Sequence, residues 1–147
     1  MTDTLREQII AAFTDRAAGL SNLPVDRCTR AISDTKERFI SVWDGADQIQ
    51  EITYGIERIQ FLIKLECIWQ HGTDNPSTSA NELIGEILTT MIGPNTDLTF
   101  GGLATGITRQ SATPEYPEAG SEYTTLSVIF IVSYATPVGD PYTLPTY

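Results

Sequence analysis

The chain has 147 residues, 41% of them hydrophobic and 19% charged, with a formal net charge of −10 and a single histidine. That length and balance describe one globular domain able to bury roughly two-thirds of its unfolded surface, not a disordered segment. No apolar run reaches the ~20 residues that span a bilayer, and a surface this acidic cannot hold phosphates by counterion release.

The opening residues Met1–Glu7 lack the basic-then-apolar order of a secretion signal, so the product is expected to stay in the cytoplasm where it is made. Thr4-Leu5-Arg6-Glu7 has the form of a capping box. Leu5, Ile9, Ala12, Phe13 and Ala17 then recur at helical spacing, which predicts an amphipathic helix closing near Gly19. Ser21-Asn22-Leu23-Pro24 reads as a loop. Three short strands are predicted next: a weakly alternating one over Val25–Ile32, then Arg38–Trp43 and Gln48–Tyr54. Asp44-Gly45 reads as a turn pair, so the stretch between Val42 and Ile49 is expected to be a hairpin tip or a projecting loop.

The clearest pattern lies in Ile59–Trp69, where Ile59, Phe61, Ile63, Leu65, Cys67 and Trp69 occupy every second position. Strict alternation puts six apolar side chains on one face of a strand long enough to cross the domain. After a loop over Gln70–Ser77, Ser79-Ala80-Asn81-Glu82 forms a second capping box. Ala80, Leu83, Ile84, Ile87, Leu88 and Met91 continue with helical spacing until Gly93-Pro94 stops the helix. Thr96–Ser111 carries Gly101, Gly102 and Gly106 without the lysine of a phosphate-binding loop, so it reads as a glycine-permitted turn between short extended pieces. Ala112–Ser121 reads as a long connection, and Tyr123–Ala135 as the last strand.

The expected fold is therefore α+β: an antiparallel sheet of four to five strands with two helices on one face, occupying residues 1–135. Residues 136–147 follow as an extended tail, because Pro137, Pro141 and Pro145 exclude a helix and oppose strand pairing. Twelve extended residues reach about 35–40 Å, enough to lie on a neighbour.

Chemistry is sparse. Cys28 and Cys67 stand alone without metal-ligand spacing, and His71 is expected to anchor a loop. The acid pairs Asp44 with Asp47 and Glu115 with Glu118 lie in turn-like segments and read as solvated charge. Eight of the nine basic residues precede Ser79 and only Arg109 follows it, so no basic patch with interleaved aromatics exists for nucleic-acid recognition. No catalytic residue, cofactor or metal is expected.

Several pieces together resemble the tail terminators, or tail-completion proteins, of tailed bacteriophages. They are the opening helix, Phe39-Ile40-Ser41-Val42-Trp43-Asp44-Gly45, Leu65-Glu66-Cys67-Ile68-Trp69, Ala80-Asn81-Glu82-Leu83-Ile84, Gly101-Gly102-Leu103-Ala104, and Val132-Ser133-Tyr134-Ala135-Thr136-Pro137-Val138-Gly139-Asp140-Pro141-Tyr142. The resemblance implies a non-enzymatic virion protein, assembled in the host cytoplasm as a ring of six copies. That ring caps the tail tube, meets the neck proteins and lets DNA pass without specific binding. Asp44, Gly45, Asp47, Pro137, Asp140, Pro141, Tyr142 and Tyr147 are the candidate subunit or partner contacts. Rival expectations are a head–tail stopper or tube-like ring protein, an acidic DNA-mimic inhibitor, and, least favoured, an enzyme using an acid such as Asp140.

Overall fold

The computed structural model describes residues 3–20, 25–29, 38–117 and 122–146. Thr4 accepts the Glu7 N–H at 3.1 Å and starts helix α1 (Leu5–Ala17), as its capping pattern predicts. Strand β1 (Asp26–Arg27) pairs parallel with Ser41 and Val42. The expected strand over Val25–Ile32 shrinks to these two residues, and its last three positions lie outside the described residues.

Strand β2 (Phe39–Thr53) is one 15-residue element where two short strands were expected. Asp44-Gly45 does not turn the chain; the register with the next strand, β3 (Ile56–Gln70), shifts between Asp44 and Asp47, as at a β-bulge. The actual reversal comes at Tyr54 and Gly55, both in the left-handed region with φ of 53° and 77°, as a tight two-residue hairpin requires.

Helix α2 (Pro76–Ile92) begins earlier than its second capping box predicts. The Asn75 side chain takes the Ser77 and Thr78 N–H groups at 2.9 and 3.2 Å, with Pro76 in the first turn. Ser79 is thereby freed to accept the Trp69 Nε1–H at 2.7 Å, tying the helix to the end of β3. At the far end Gly93 is needed for space rather than for conformation, because a Cβ there would sit 2.3 Å from the Thr89 carbonyl oxygen.

Strand β4 (Gly106–Glu115) replaces the expected turn-and-connection with ten residues paired antiparallel to β5 (Tyr123–Pro137). Pro114 disguises it in the sequence, yet β4 is the outermost strand, where proline is tolerated. The sheet runs β1-β2-β3-β5-β4, antiparallel except for β1. The fold is thus α+β, two helices against a five-strand, mostly antiparallel open sheet.

Leu5, Ile9, Ile10, Phe13 and Ala17 of α1, with Ala80, Leu83, Ile87 and Met91 of α2, bury against one sheet face. That face supplies Ile40, Val42, Phe61, Ile63, Leu65, Leu126, Val128, Phe130 and Val132. Phe13 meets Phe130 edge-on at 5.6 Å. Arg16 closes the open end of the helical layer. It donates to the Met91 and Asp97 carbonyls at 3.0 and 2.8 Å and lies 4.1 Å above the Phe100 ring.

Candidate interaction surfaces

Arg6 is a basic side chain in the first turn of a helix, where the macrodipole disfavours it. Two carboxylates from the β2 bulge compensate: Arg6 donates to Asp44 at 2.8 Å and to Asp47 at 2.5 Å, and also to the Gly45 carbonyl. Its guanidinium lies 4.4 Å from the centre of the Phe61 ring. Burial lowers the Arg6 pKa, but the two aspartates outweigh it and leave the group raised. Asp47 also accepts the Tyr134 hydroxyl at 2.9 Å, and burial followed by that hydrogen bond pushes the phenol upward. Asp44 and Asp47 are therefore joined through one cation on the helix side of the sheet, correcting their reading as solvated loop charge.

The tail residues gather beside the same helix end. Pro137 is the last residue of β5, opposite Ile56, so the strand runs two residues past the expected Ala135 and Thr136 is buried. The Asp140 carboxylate accepts the Tyr142 N–H at 3.0 Å, and the Pro141 carbonyl accepts the Leu5 N–H at 2.9 Å. Consecutive residues Leu5 and Arg6 thus hold the tail and the bulge, respectively. Tyr142 is half-exposed, and Tyr147 lies outside the described residues.

Beyond the bulge the β2–β3 hairpin outruns the helices. Ile49 is 55%, Ile52 59% and Tyr54 99% exposed, with Val138 alongside, its N–H bonded to the Gly55 carbonyl at 2.9 Å. Sequence reading missed this apolar tip. The Tyr54-Gly55 pair between two alternating runs was the available signal.

The sheet face turned away from the helices carries Trp43, Gln60, Leu62, Lys64, Glu66, Ile68, Ile129 and Ile131, all partly or fully exposed. A shallow groove of about 320 Å³ crosses it from Gly45 and Gln48 over Gln60 and Leu62 to Ile131 and Gln110.

The remaining titratable groups singled out in the sequence take up structural positions among the described residues. No group of three His, Cys, Asp or Glu side chains could hold a metal ion. Cys67 is buried and its thiol is pushed up to about 12 by desolvation, which keeps it protonated and inert. His71 Nδ1 lies 2.7 Å from Thr124 Oγ1 while its backbone N–H bonds Glu122, so it anchors the loop before α2 to β5. Asp97 is held down to about 2 by hydrogen bonds from the Thr99 side chain, the Thr99 N–H and the Gly101 N–H, and so organises the turn before β4. Glu115 ends β4, and Glu118 lies outside the described residues. No described helix is long and apolar enough to cross a membrane. Comparison with protein-family models finds no match, and comparison with curated proteins finds none.

Proposed function

We propose that the chain is a structural building block of a bacteriophage virion, a tail terminator of which six copies form a ring on the head-proximal end of the tail tube. The observation that carries this reading is a pair of unpartnered surfaces on one acidic chain, the open sheet face and the apolar hairpin tip. Two different patches per subunit are what a head-to-tail ring requires.

The segments that resemble the terminators are the opening helix α1, Phe39–Gly45 along β2 and its bulge, Leu65–Trp69 in β3, Ala80–Ile84 in α2, Gly101–Ala104 in the turns before β4, and Val132–Tyr142 from β5 into the tail. With a net charge of −10, a ring of copies presents a bore along which DNA slides without being gripped. The work is shape and assembly; no bond is made or broken. Its partners are then further copies, the tube protein and the neck proteins, and its place is the virion, after assembly in the bacterial cytoplasm.

Reconstruction of virions that contain the chain tests this. A ring of its density at the tube–neck junction is the expected result. Density along the tube, or within the neck away from that junction, replaces the terminator with a tube-like or stopper protein, and absence from particles overturns the reading.

A further inference from the structure

Of the three register shifts in the sheet, the first in β2 and the one in β4 lie near one level, while the other in β2 falls between Ile49 and Glu51 toward the hairpin tip. The β2 bulge falls opposite the stretch between Ile63 and Phe61, and β4 shifts register between Arg109 and Ser111, opposite Phe130 and Ile129. Bulges bend and twist their strands, and the groove on the open face runs between these two. Gly45 lies close over its floor, where a Cβ would sit 3.3 Å from the Leu62 carbonyl oxygen. The groove floor is apolar, from Leu62 and Ile131, and its walls are the amides of Gln48, Gln60 and Gln110.

Its lining holds no charged side chain, although the chain as a whole is strongly acidic. A like-charged copy meets least repulsion at a patch without acids, and Glu51 near the tip is paired with Arg58 at 3.8 Å. The open face also carries Trp43, whose Nε1–H is the buried side-chain donor left without a partner among the described residues.

Tyr54 stands eight positions along the chain from Leu62, roughly 25 Å away at strand rise, and is 99% exposed on a backbone fixed by its hairpin turn. Ile49, Ile52 and Val138 beside it are each more than half exposed, so the tip leaves in water apolar surface of the kind an interface covers. We propose that Tyr54 at the hairpin tip of one copy seats in the Leu62–Ile131 groove of the next copy. The ring covers the two aliphatic side chains, and the phenol hydroxyl exchanges hydrogen bonds with the glutamine amides. Gln60 Nε2 already donates to Ser133 Oγ at 3.3 Å, which leaves its carbonyl oxygen to accept from the phenol. Tip and groove are different patches, so the contact is head-to-tail and its repetition closes a ring or grows a filament.

The inference rests on the reading above only in that copies of the chain assemble. The test uses the full-length chain, with Tyr54→Asp disabling the tip and Leu62→Asp the groove, and Gln110→Glu as a groove variant that leaves the core side untouched. Sedimentation over a concentration series reads association, and thermal melting verifies folding. Wild type should self-associate, and each variant should do so at least about tenfold more weakly. An equimolar mixture of a tip variant and a groove variant should give a heterodimer that grows no further, because one intact tip and one intact groove remain. Folded variants that assemble like wild type overturn the pairing and leave the ring reading standing. A mixture that stays monomeric, or a wild type that never associates, also overturns it, whereas the ring reading is judged on virions.

Discussion

The two faces of β3 differ by one residue in sequence and by everything in surroundings. Phe61, Ile63 and Leu65 are sealed beneath α1 and α2, while Leu62, Lys64 and Glu66, alternating with them, meet solvent. Lys64 pairs with Glu66 at 3.2 Å and lies 6.0 Å from the Trp43 ring, so the open face is arranged yet uncovered. The lesson is that alternation assigns faces but does not say what lies on them. One face is completed by the chain's own helices, and the other is available to something else.

The contrast is broken most directly from the sealed side. Phe130 is fully buried and packs edge-on against Phe13. Phe130→Ala should cost about 3–5 kcal/mol, through lost burial and the cavity left behind. Chemical denaturation reads this, and a loss below ~1 kcal/mol would mean the helices do not seal that face.

The next effect tests the seam where helix layer and hairpin meet. Arg6→Ala removes the cation shared by Asp44 and Asp47. The carboxylates are part-exposed, so solvent softens the penalty, and a loss of ~1–2 kcal/mol is expected. The effect should fade in high salt, since screening acts on the pair itself. Removing residues 138–147 should cost a similar or smaller amount, because it takes away the Leu5–Pro141 hydrogen bond but leaves β5 whole. Circular dichroism should then still show the native helix and sheet content.

How much of this was legible varied with the kind of signal. Alternation over Ile59–Trp69 and Tyr123–Ala135, and helical spacing after Thr4 and Ser79, sufficed for the sheet centre and both helices, because buried faces impose a period. β4 was hidden since an edge strand makes no comparable demand: Thr108, Arg109, Gln110 and Ser111 are polar on both sides, and Pro114 reads as a breaker. The bulge at Asp44–Asp47 looked like a turn because Gly45 satisfies either geometry, and the deciding partner, Arg6, lies 38 residues away from Asp44. Of the candidate contacts, Asp44, Gly45 and Asp47 converge on Arg6 of the same chain. Their cation was not visible, since long-range pairing leaves no local trace, whereas the Tyr54 tip had a local signal in Tyr54-Gly55 that was not used.

Acid provides a finer probe of how the helix layer is closed. The Asp97 carboxyl is lowered to about 2 in the folded chain by the Thr99 and Gly101 donors. A group whose folded pKa lies below its unfolded value binds protons more readily when unfolded. Its contribution is therefore complete above roughly pH 4, the ordinary aspartate range, and disappears as pH falls toward 2. Asp97→Asn should flatten the part of the acid-unfolding curve between those values, read as melting temperature against pH. An unchanged slope would show that the turn before β4 does not hold the carboxylate in solution.

The smallest stability effect belongs to the open face. Ile129 faces away from the helices, between Leu126–Val128 and Phe130, and remains partly exposed. Ile129→Thr keeps the β-branch that suits a strand while making the side chain polar. At a dilution where the chain is monomeric, melting should move by no more than about 0.5 kcal/mol in stability, as for a surface position. Dilution matters, because self-association stabilises the folded state by mass action and would charge the substitution with a lost interface. A loss comparable to that of Phe130→Ala under monomeric conditions would mean that this face is covered within the single chain. The two faces of the sheet would then be alike.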